Sequence, residues 1–194
     1  MNRLERQISF LLEADKLKTI FRRNCIADGS RTENDAEHSW YFALAALLLS
    51  ELAAEEIDLL EVLKMALIHD LVEIDAGDTF IYDEAAKKGQ LEREQQAATR
   101  LFGLLPDDQA QALLALWREF EAGQTPESRY ARSIDRLAAV LLNHASEGKS
   151  WKRHGLSKEQ ILTVNQKIAA GSPALWDYVR GLIEDAAKRG YIER

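Results

Sequence analysis

The amino-acid sequence predicts an all-α fold: a single-domain bundle of about eight helices spanning residues 1–194, with a metal site buried in its core. Three observations carry that prediction. Apolar residues recur at helical spacing in one segment after another, and no segment shows the strict alternation of a strand. Helix start and stop signals punctuate those segments. The chain has only three prolines, and Ala, Leu, Glu, Lys, Arg and Gln, which lose little on entering a helix, dominate it.

The elements follow in order. Leu4, Ile8, Leu11 and Leu12 mark an amphipathic helix over residues 2–20. The segment CIADGSRTEN reads as the first loop. Asn34, with Glu37 three residues on, forms a capping box that opens a helix from about Asp35 to Ala54. A further helix runs from Ile57 to about Ile74, and Gly77 ends that region. Thr79 to Gly89 shows no clear period, whereas Leu91 to Phe102 is helical until Gly103 stops it. Pro106 opens a helix that reaches about Ala122, GQTPES is a turn, and the helix carrying Asp135 comes next. A break at Gly148 leads to Trp151, and Ser157 with Gln160 forms a second capping box. Ser172-Pro173 combines an N-cap with proline at the first helical position, opening a C-terminal helix. No repeat or linker divides the chain, and 194 residues suffice for one sizeable core.

Composition narrows the function classes. The hydrophobic share of 46% and charged share of 29% are those of an ordinary globular protein. The single cysteine, Cys25, permits no internal disulfide. With no signal-peptide pattern, this points to the cytoplasm. The longest apolar run, Trp40 to Leu49, is too short to span a bilayer, so no membrane partner is expected. A formal net charge of −7 argues against a nucleic-acid polymer as partner. It leaves room for a small phosphorylated substrate. Between Lys16 and Arg31 the chain carries Lys16, Lys18, Arg22, Arg23 and Arg31 against one acid, Asp28. A homodimer is the expected assembly, twofold dimers being the commonest.

Four polar residues interrupt apolar helical stripes: His38, the adjacent pair His69-Asp70, and Asp135. Burying an ionised carboxylate without a partner costs several kcal/mol or more, so such groups are paired or bound to a metal. Two imidazoles and two carboxylates suit one divalent ion: Mn, Co, Ni, Zn or Fe, with Mg also tolerated. Glu73 lies four residues after His69 and three after Asp70, which on a helix is the same face. A carboxylate there can handle a proton beside the ion. Asp78, just beyond Gly77, is a second proton-transfer or water-positioning candidate. The remaining polar and aromatic residues read more plainly. His144 and His154 suit surface roles, Trp117, Trp151 and Trp176 suit packing, Trp40 suits core above pocket lining, and Cys25 has no base motif beside it.

The ordered set of His38, then His69-Asp70, then Asp135 resembles the HD superfamily of metal-dependent phosphohydrolases. The resemblance covers most of the chain and is strongest in RTENDAEHS, ALIHDLVEIDAGD and SIDRL. These segments, with LKTIFRR at Leu17–Arg23, are similar to the small bacterial HD-domain hydrolases that include the 5′-deoxynucleotidases. The resemblance implies an HD-type helical bundle, with His38, His69, Asp70 and Asp135 holding the metal. It implies Glu73 as catalytic acid or base, Asp78 as the residue that positions the attacking water, and Arg22 on the substrate phosphate. Arg31, from the same basic run, is expected to assist from further out. The implied reaction is hydrolysis of nucleoside 5′-monophosphates, deoxynucleotides foremost, to nucleoside and phosphate. One departure stands out: Arg23 occupies the place where that group carries a tryptophan that helps exclude a ribose 2′-hydroxyl. A pyrophosphohydrolase or triphosphohydrolase acting on guanosine tetraphosphate or another nucleotide remains an alternative. So does a non-catalytic nucleotide-binding module.

Overall fold

In the computed structural model the described residues are 1–83 and 85–192. Helix α1 (Arg3–Ala14) begins on a capping box in which Asn2 accepts from the Glu5 backbone N–H and the Glu5 side chain reaches back. It then tightens into a 3₁₀ turn, Asp15–Thr19, rather than running on as an α-helix to residue 20. Two short strands follow, β1 (Phe21–Cys25) and β2 (Thr32–Asn34), paired antiparallel with Phe21 opposite Asn34 and Cys25 opposite Thr32. The sequence reading missed this ribbon because neither strand alternates. Five residues face three, so a bulge breaks the register. The turn between them is closed by the Asp28 side chain, which accepts from the Ser30 N–H.

Asn34 ends β2 and also caps α2 (Asp35–Leu48) through the anticipated box with Glu37. Helix α2 stops six residues short of Ala54, passing into a 3₁₀ turn at Ser50–Leu52. Helix α3 (Leu59–Ile68) is capped by Asp58, whose carboxylate accepts from the Leu60 and Glu61 N–H groups. The expected continuous helix to Ile74 is broken: His69–Val72 form a 3₁₀ turn before the short α4 (Glu73–Ala76). Gly77, at φ +75°, closes it. The stretch without a clear period contains turns, and α5 (Gln90–Phe102) and α6 (Asp107–Ala122) follow. Helix α7 (Pro126–Ala145) starts from a Thr125–Ser128 capping box. The chain ends with α8 (Lys149–Arg153), α9 (Lys158–Asn165) on the Ser157–Gln160 box, a 3₁₀ turn, and α10 (Pro173–Arg189) capped by Ser172. Among the described residues, the eight helices of eight residues or more match the expected number.

Helix α7 is the axis of the molecule, packing against α2, α3, α6 and α10. Its inward face buries Tyr130, Ala131, Ile134, Leu137 and Ala138. Fully buried alanines at 131 and 138 bring its backbone close to its neighbours, and the Tyr130 hydroxyl donates to the Ala46 carbonyl of α2 at 3.1 Å. Phe42, Val62 and Met65 complete this part of the core, each fully buried. Burying one such side chain stabilises the fold by about 1.5–3 kcal/mol. Trp117 and Trp151 are buried in this core and Trp176 packs against it. Trp40 is the exception, 63% exposed, because α2 turns that face outward.

Gly148 fixes how the C-terminal segment crosses the end of α7. It has φ +69°, and a Cβ there would lie 2.1 Å from the Tyr191 carbonyl oxygen. Gly148→Ala combines left-handed strain with a backbone clash. It should lower unfolding stability by more than about 1 kcal/mol, read from urea denaturation. An unchanged midpoint would show that the Tyr191 segment is not held there.

Candidate metal centre

Three helical segments and the ribbon deliver the polar residues to one place. The Asn34 cap sets the phase of α2, so His38 points inward one turn later and is fully buried. The 3₁₀ turn presents His69 and Asp70, and the middle of α7 presents Asp135. His38 Nε2 lies 3.0 Å from Asp135 Oδ1, and one ligand atom each from His38, His69 and Asp135 falls within 4.8 Å of the others. Asp70 joins them, with Oδ1 3.1 Å from His69 Nε2 and Oδ2 4.0 Å from His38 Nε2. The structure thus brings together all four residues that interrupt the apolar stripes.

The imidazoles have defined orientations. His69 Nδ1 is 3.0 Å from the Ala66 carbonyl, which can only accept, so that nitrogen carries the proton. Nε2 is left with its lone pair toward the cluster, buried and without a hydrogen-bond partner among the described residues. An unpartnered, buried lone pair facing two carboxylates and a second imidazole is what a divalent ion would complete, so this donor set fits a metal. The ring is held edge-on to Phe42 and tilted against Phe120, both centroids 5.1 Å away.

A second acidic group adjoins the first. Asp35, Glu73 and Asp78 each offer a carboxylate oxygen within 4.8 Å of the others. Asp35, the first residue of α2, is fully buried. It escaped the sequence reading because an acid in the first helical turn already has a reason to be there, the helix dipole. The 3₁₀ break explains the position of Glu73: residues three apart eclipse in that geometry, setting Glu73 over Asp70.

Arg22 enters from β1 between the two groups. Its Nη1 donates to Asp70 Oδ2 at 2.6 Å and to Asp35 Oδ1 at 3.4 Å, and its Nη2 lies 4.0 Å from Asp135 Oδ1. Arg31 is not brought to this place. It forms a two-pronged pair with the Glu37 carboxylate, 2.7 Å at each prong, on the exposed side of the ribbon. Arg136 is a cation the sequence reading passed over. It follows Asp135, is buried, and donates to the Arg132 carbonyl at 3.0 Å. His144 pairs with Asp185 at 2.8 Å, away from the cluster, and His154 stacks on Phe80 at 4.5 Å.

Two cavities meet at this wall, both lined by Arg22, Asp78, Asp135 and Arg136. One is a narrow pocket of about 90 Å³ reaching Arg23, Asn143 and Trp151. The other is a cleft of about 600 Å³ that exposes His69, Asp70 and Glu73 and runs out to Lys167.

The electrostatics divide the carboxylates into two kinds. Burial alone would raise Asp70, but His69 and Arg22 pull it down to about 2. Asp135 is likewise carried below the usual carboxylate range, burial being overcome by its bond to His38 and by the surrounding positive charge. Burial and the neighbouring Asp70 charge push Asp35 up to about 6 and Glu73 well above its ordinary value. Burial also raises Asp78. Burial and Arg22 push His38 down, but Asp135 and Glu33 outweigh them and bring it to about 9. The site therefore combines carboxylates pulled down at the imidazoles with carboxyls pushed up beside them.

A family model described as HD domain matches residues 14–176. The chain belongs to the HD domain family, and with this donor set it is a metal-dependent hydrolase. A crystal structure of a "predicted metal-dependent phosphohydrolase" from Magnetospirillum magnetotacticum MS-1 is 49% identical, covers 99% of each chain and superposes with a TM-score of 0.93. Among curated proteins, the 5′-deoxynucleotidase HDDC2 of Danio rerio is 25% identical over 186 residues, covering 95% of this chain and 90% of that protein. The protein of that name from Dictyostelium discoideum is 29% identical over 140 residues, 69% of this chain and 74% of its own.

Asp135→Ala should leave the purified protein without stoichiometric metal by elemental analysis. A divalent ion at about 100 times its Kd should raise the wild-type unfolding free energy by about 2.7 kcal/mol, and the variant's hardly at all. Full metal content in the variant would mean the ion sits elsewhere.

Proposed function

We propose that this chain is a phosphomonoesterase that hydrolyses nucleoside 5′-monophosphates, deoxynucleotides included, to nucleoside and inorganic phosphate. The observation that carries the reading is the meeting of the metal-competent cluster with Arg22 and Glu73, whose carboxyl burial pushes up, on the wall of one cleft. The names of the curated relatives support the substrate class.

In this reading His38, His69, Asp70 and Asp135 hold one divalent ion, with Mn, Co, Ni, Zn, Fe and Mg all compatible. When bound, the ion acts as Lewis acid on the phosphoryl oxygens and acidifies water. Arg22 offers a charged, planar fork to the phosphate, and its Nε–H has no partner among the described residues. Asp78, at the turn after Gly77, accepts a hydrogen bond from the attacking water, aims it at phosphorus and takes up the proton that the water loses. As the new P–O bond forms, the bond to the 5′-oxygen breaks. Glu73, kept protonated by burial and Asp70, gives its proton to that oxygen. Arg31 has no part in this scheme, since Glu37 holds it outside. Arg23 lines the narrow pocket without tryptophan's bulk, so ribonucleotides are accepted beside deoxynucleotides.

We further read residues 1–194 as one unit, in keeping with a core cluster that runs from Phe10 to Ile192. A cytoplasmic location fits the lone, unpaired Cys25. Among the described residues no helix is long and apolar enough to cross a membrane. A homodimer would cover the apolar groove between α1, α3 and α6, where Leu4 and Leu11 are more than 60% exposed and Ile8 nearly half. Leu11→Glu, on an exposed face, should shift the sedimentation coefficient to that of a monomer without lowering the melting temperature. An unchanged dimer would place the interface elsewhere.

Phosphate release over a panel of monophosphates tests the activity. Glu73→Gln should keep its metal and lose turnover by about 10²–10⁴-fold. AMP and dAMP should be hydrolysed within about tenfold of each other. Turnover of guanosine tetraphosphate or a triphosphate, with none of any monophosphate, would overturn the reading.

A further inference from the structure

Glu33 is a buried carboxylate beside the site that the scheme above leaves unused. It sits in β2, only 2% exposed, and the ribbon turns it inward while its neighbours Thr32 and Asn34 are half-buried. Its Oε2 has no hydrogen-bond partner among the described residues. The same holds for Nδ1 of His38, and the two atoms face each other at 3.6 Å. Two buried polar atoms without partners, one an obligate acceptor when ionised and the other able to donate, explain each other. A separation of 3.6 Å is a few tenths of an ångström beyond a hydrogen bond, which a small side-chain rotation closes. No other cation is paired with Glu33 among the described residues, so the carboxylate's burial is compensated through this contact.

We propose that Glu33 is the positioning residue of the metal centre: by accepting the Nδ1–H of His38 it fixes that ring's tautomer and direction, so that Nε2 is delivered to the ion. The two imidazoles are then oriented by different means. His69 is held by a backbone carbonyl, Ala66, and its geometry follows from α3 itself. His38 is held by a side chain from a strand, so its geometry depends on the β-ribbon. A carboxylate on the far nitrogen also raises the basicity of the ligating one, which a neutral carbonyl does only weakly. The ribbon thereby carries two of the site's supports, Arg22 on β1 and Glu33 on β2, and couples them through their pairing.

This inference rests on His38 being a metal ligand. The test uses the full chain, Co²⁺ and Mn²⁺ as probes, and variants Glu33→Ala and Glu33→Gln. Dissociation constants come from competition with a chelator. Glu33→Ala should weaken both metals by about 10–100-fold. Glu33→Gln, whose amide oxygen still accepts the Nδ1–H, should recover most of that loss. The visible spectrum of the Co²⁺ protein should shift in Glu33→Ala. Long-range ¹H–¹⁵N correlation in the metal-free protein should show the His38 Nδ1 proton protected from exchange in wild type and exchanging freely in Glu33→Ala. If Glu33→Ala does not fold, Glu33→Asp, with its carboxylate drawn back by one methylene, takes its place and should weaken metal at least several-fold. Wild-type affinity in a folded Glu33→Ala or Glu33→Asp, or unchanged exchange of the His38 Nδ1 proton, overturns the proposal. A wild-type protein that binds neither metal would instead remove the metal-centre reading on which it stands.

Discussion

The structure is organised around the cost of taking charge out of water. Asp35, His38, His69 and Asp70 lie buried in an otherwise apolar helical core with Asp135 at its edge, and none of the carboxylates could be there ionised without a counter-charge. The fold meets that cost by bringing the groups to one another. Asp135 leans on His38, Asp70 on Arg22, and His38 faces Glu33. What no protein contact meets shows as the upward push on Glu73 and Asp35, or is left as a lone pair, on His69. Those two remainders are the chemical equipment of a hydrolase: a place for a cation and a source of a proton.

Rigidity and irregularity divide the labour of building this. Helix α7 and the alanines that let it pack closely supply a fixed floor bearing Asp135 and Arg136. The working side chains come from places where regular structure gives way. His69 and Asp70 sit in a 3₁₀ turn inserted between α3 and α4, and the tighter pitch stacks Glu73 over Asp70. Arg22 and Glu33 come from a bulged ribbon too short to form a sheet of its own. The helices set the cluster's depth, and the interruptions aim its atoms.

The likeness to other HD proteins fits this division. A neighbour at 49% identity superposes over almost the whole chain, whereas curated relatives at 25–29% retain the family through a smaller set of shared positions. Arg23 lines the narrow pocket and stands outside the cluster.

Much of the helical order was legible in the chain, because caps and periodicity are local. Asn34–Glu37, Ser157–Gln160 and Ser172-Pro173 each satisfy their own helix end within four residues, and no distant contact was needed to read them. The inward direction of His38, His69, Asp70 and Asp135 was also legible, from polar residues interrupting apolar stripes. Long-range placement was not. Nothing in the spacing of Asp35 or Glu33 says that their carboxylates lie against Glu73 and His38, since an acid at a helix start or in a loop already has an ordinary solvated explanation. Arg22 and Arg31 looked alike as members of one basic run. Only the hairpin, by sending one toward Asp70 and leaving the other within reach of Glu37, made one of them part of the site. The sequence by itself determined which segments would be helices and which polar groups would have to be buried, because both follow from local hydrogen bonding and hydrophobic period. The tertiary structure alone decided which charges would meet, because that depends on a bulge, a 3₁₀ turn and a helix crossing whose energies are shared among residues far apart in the chain.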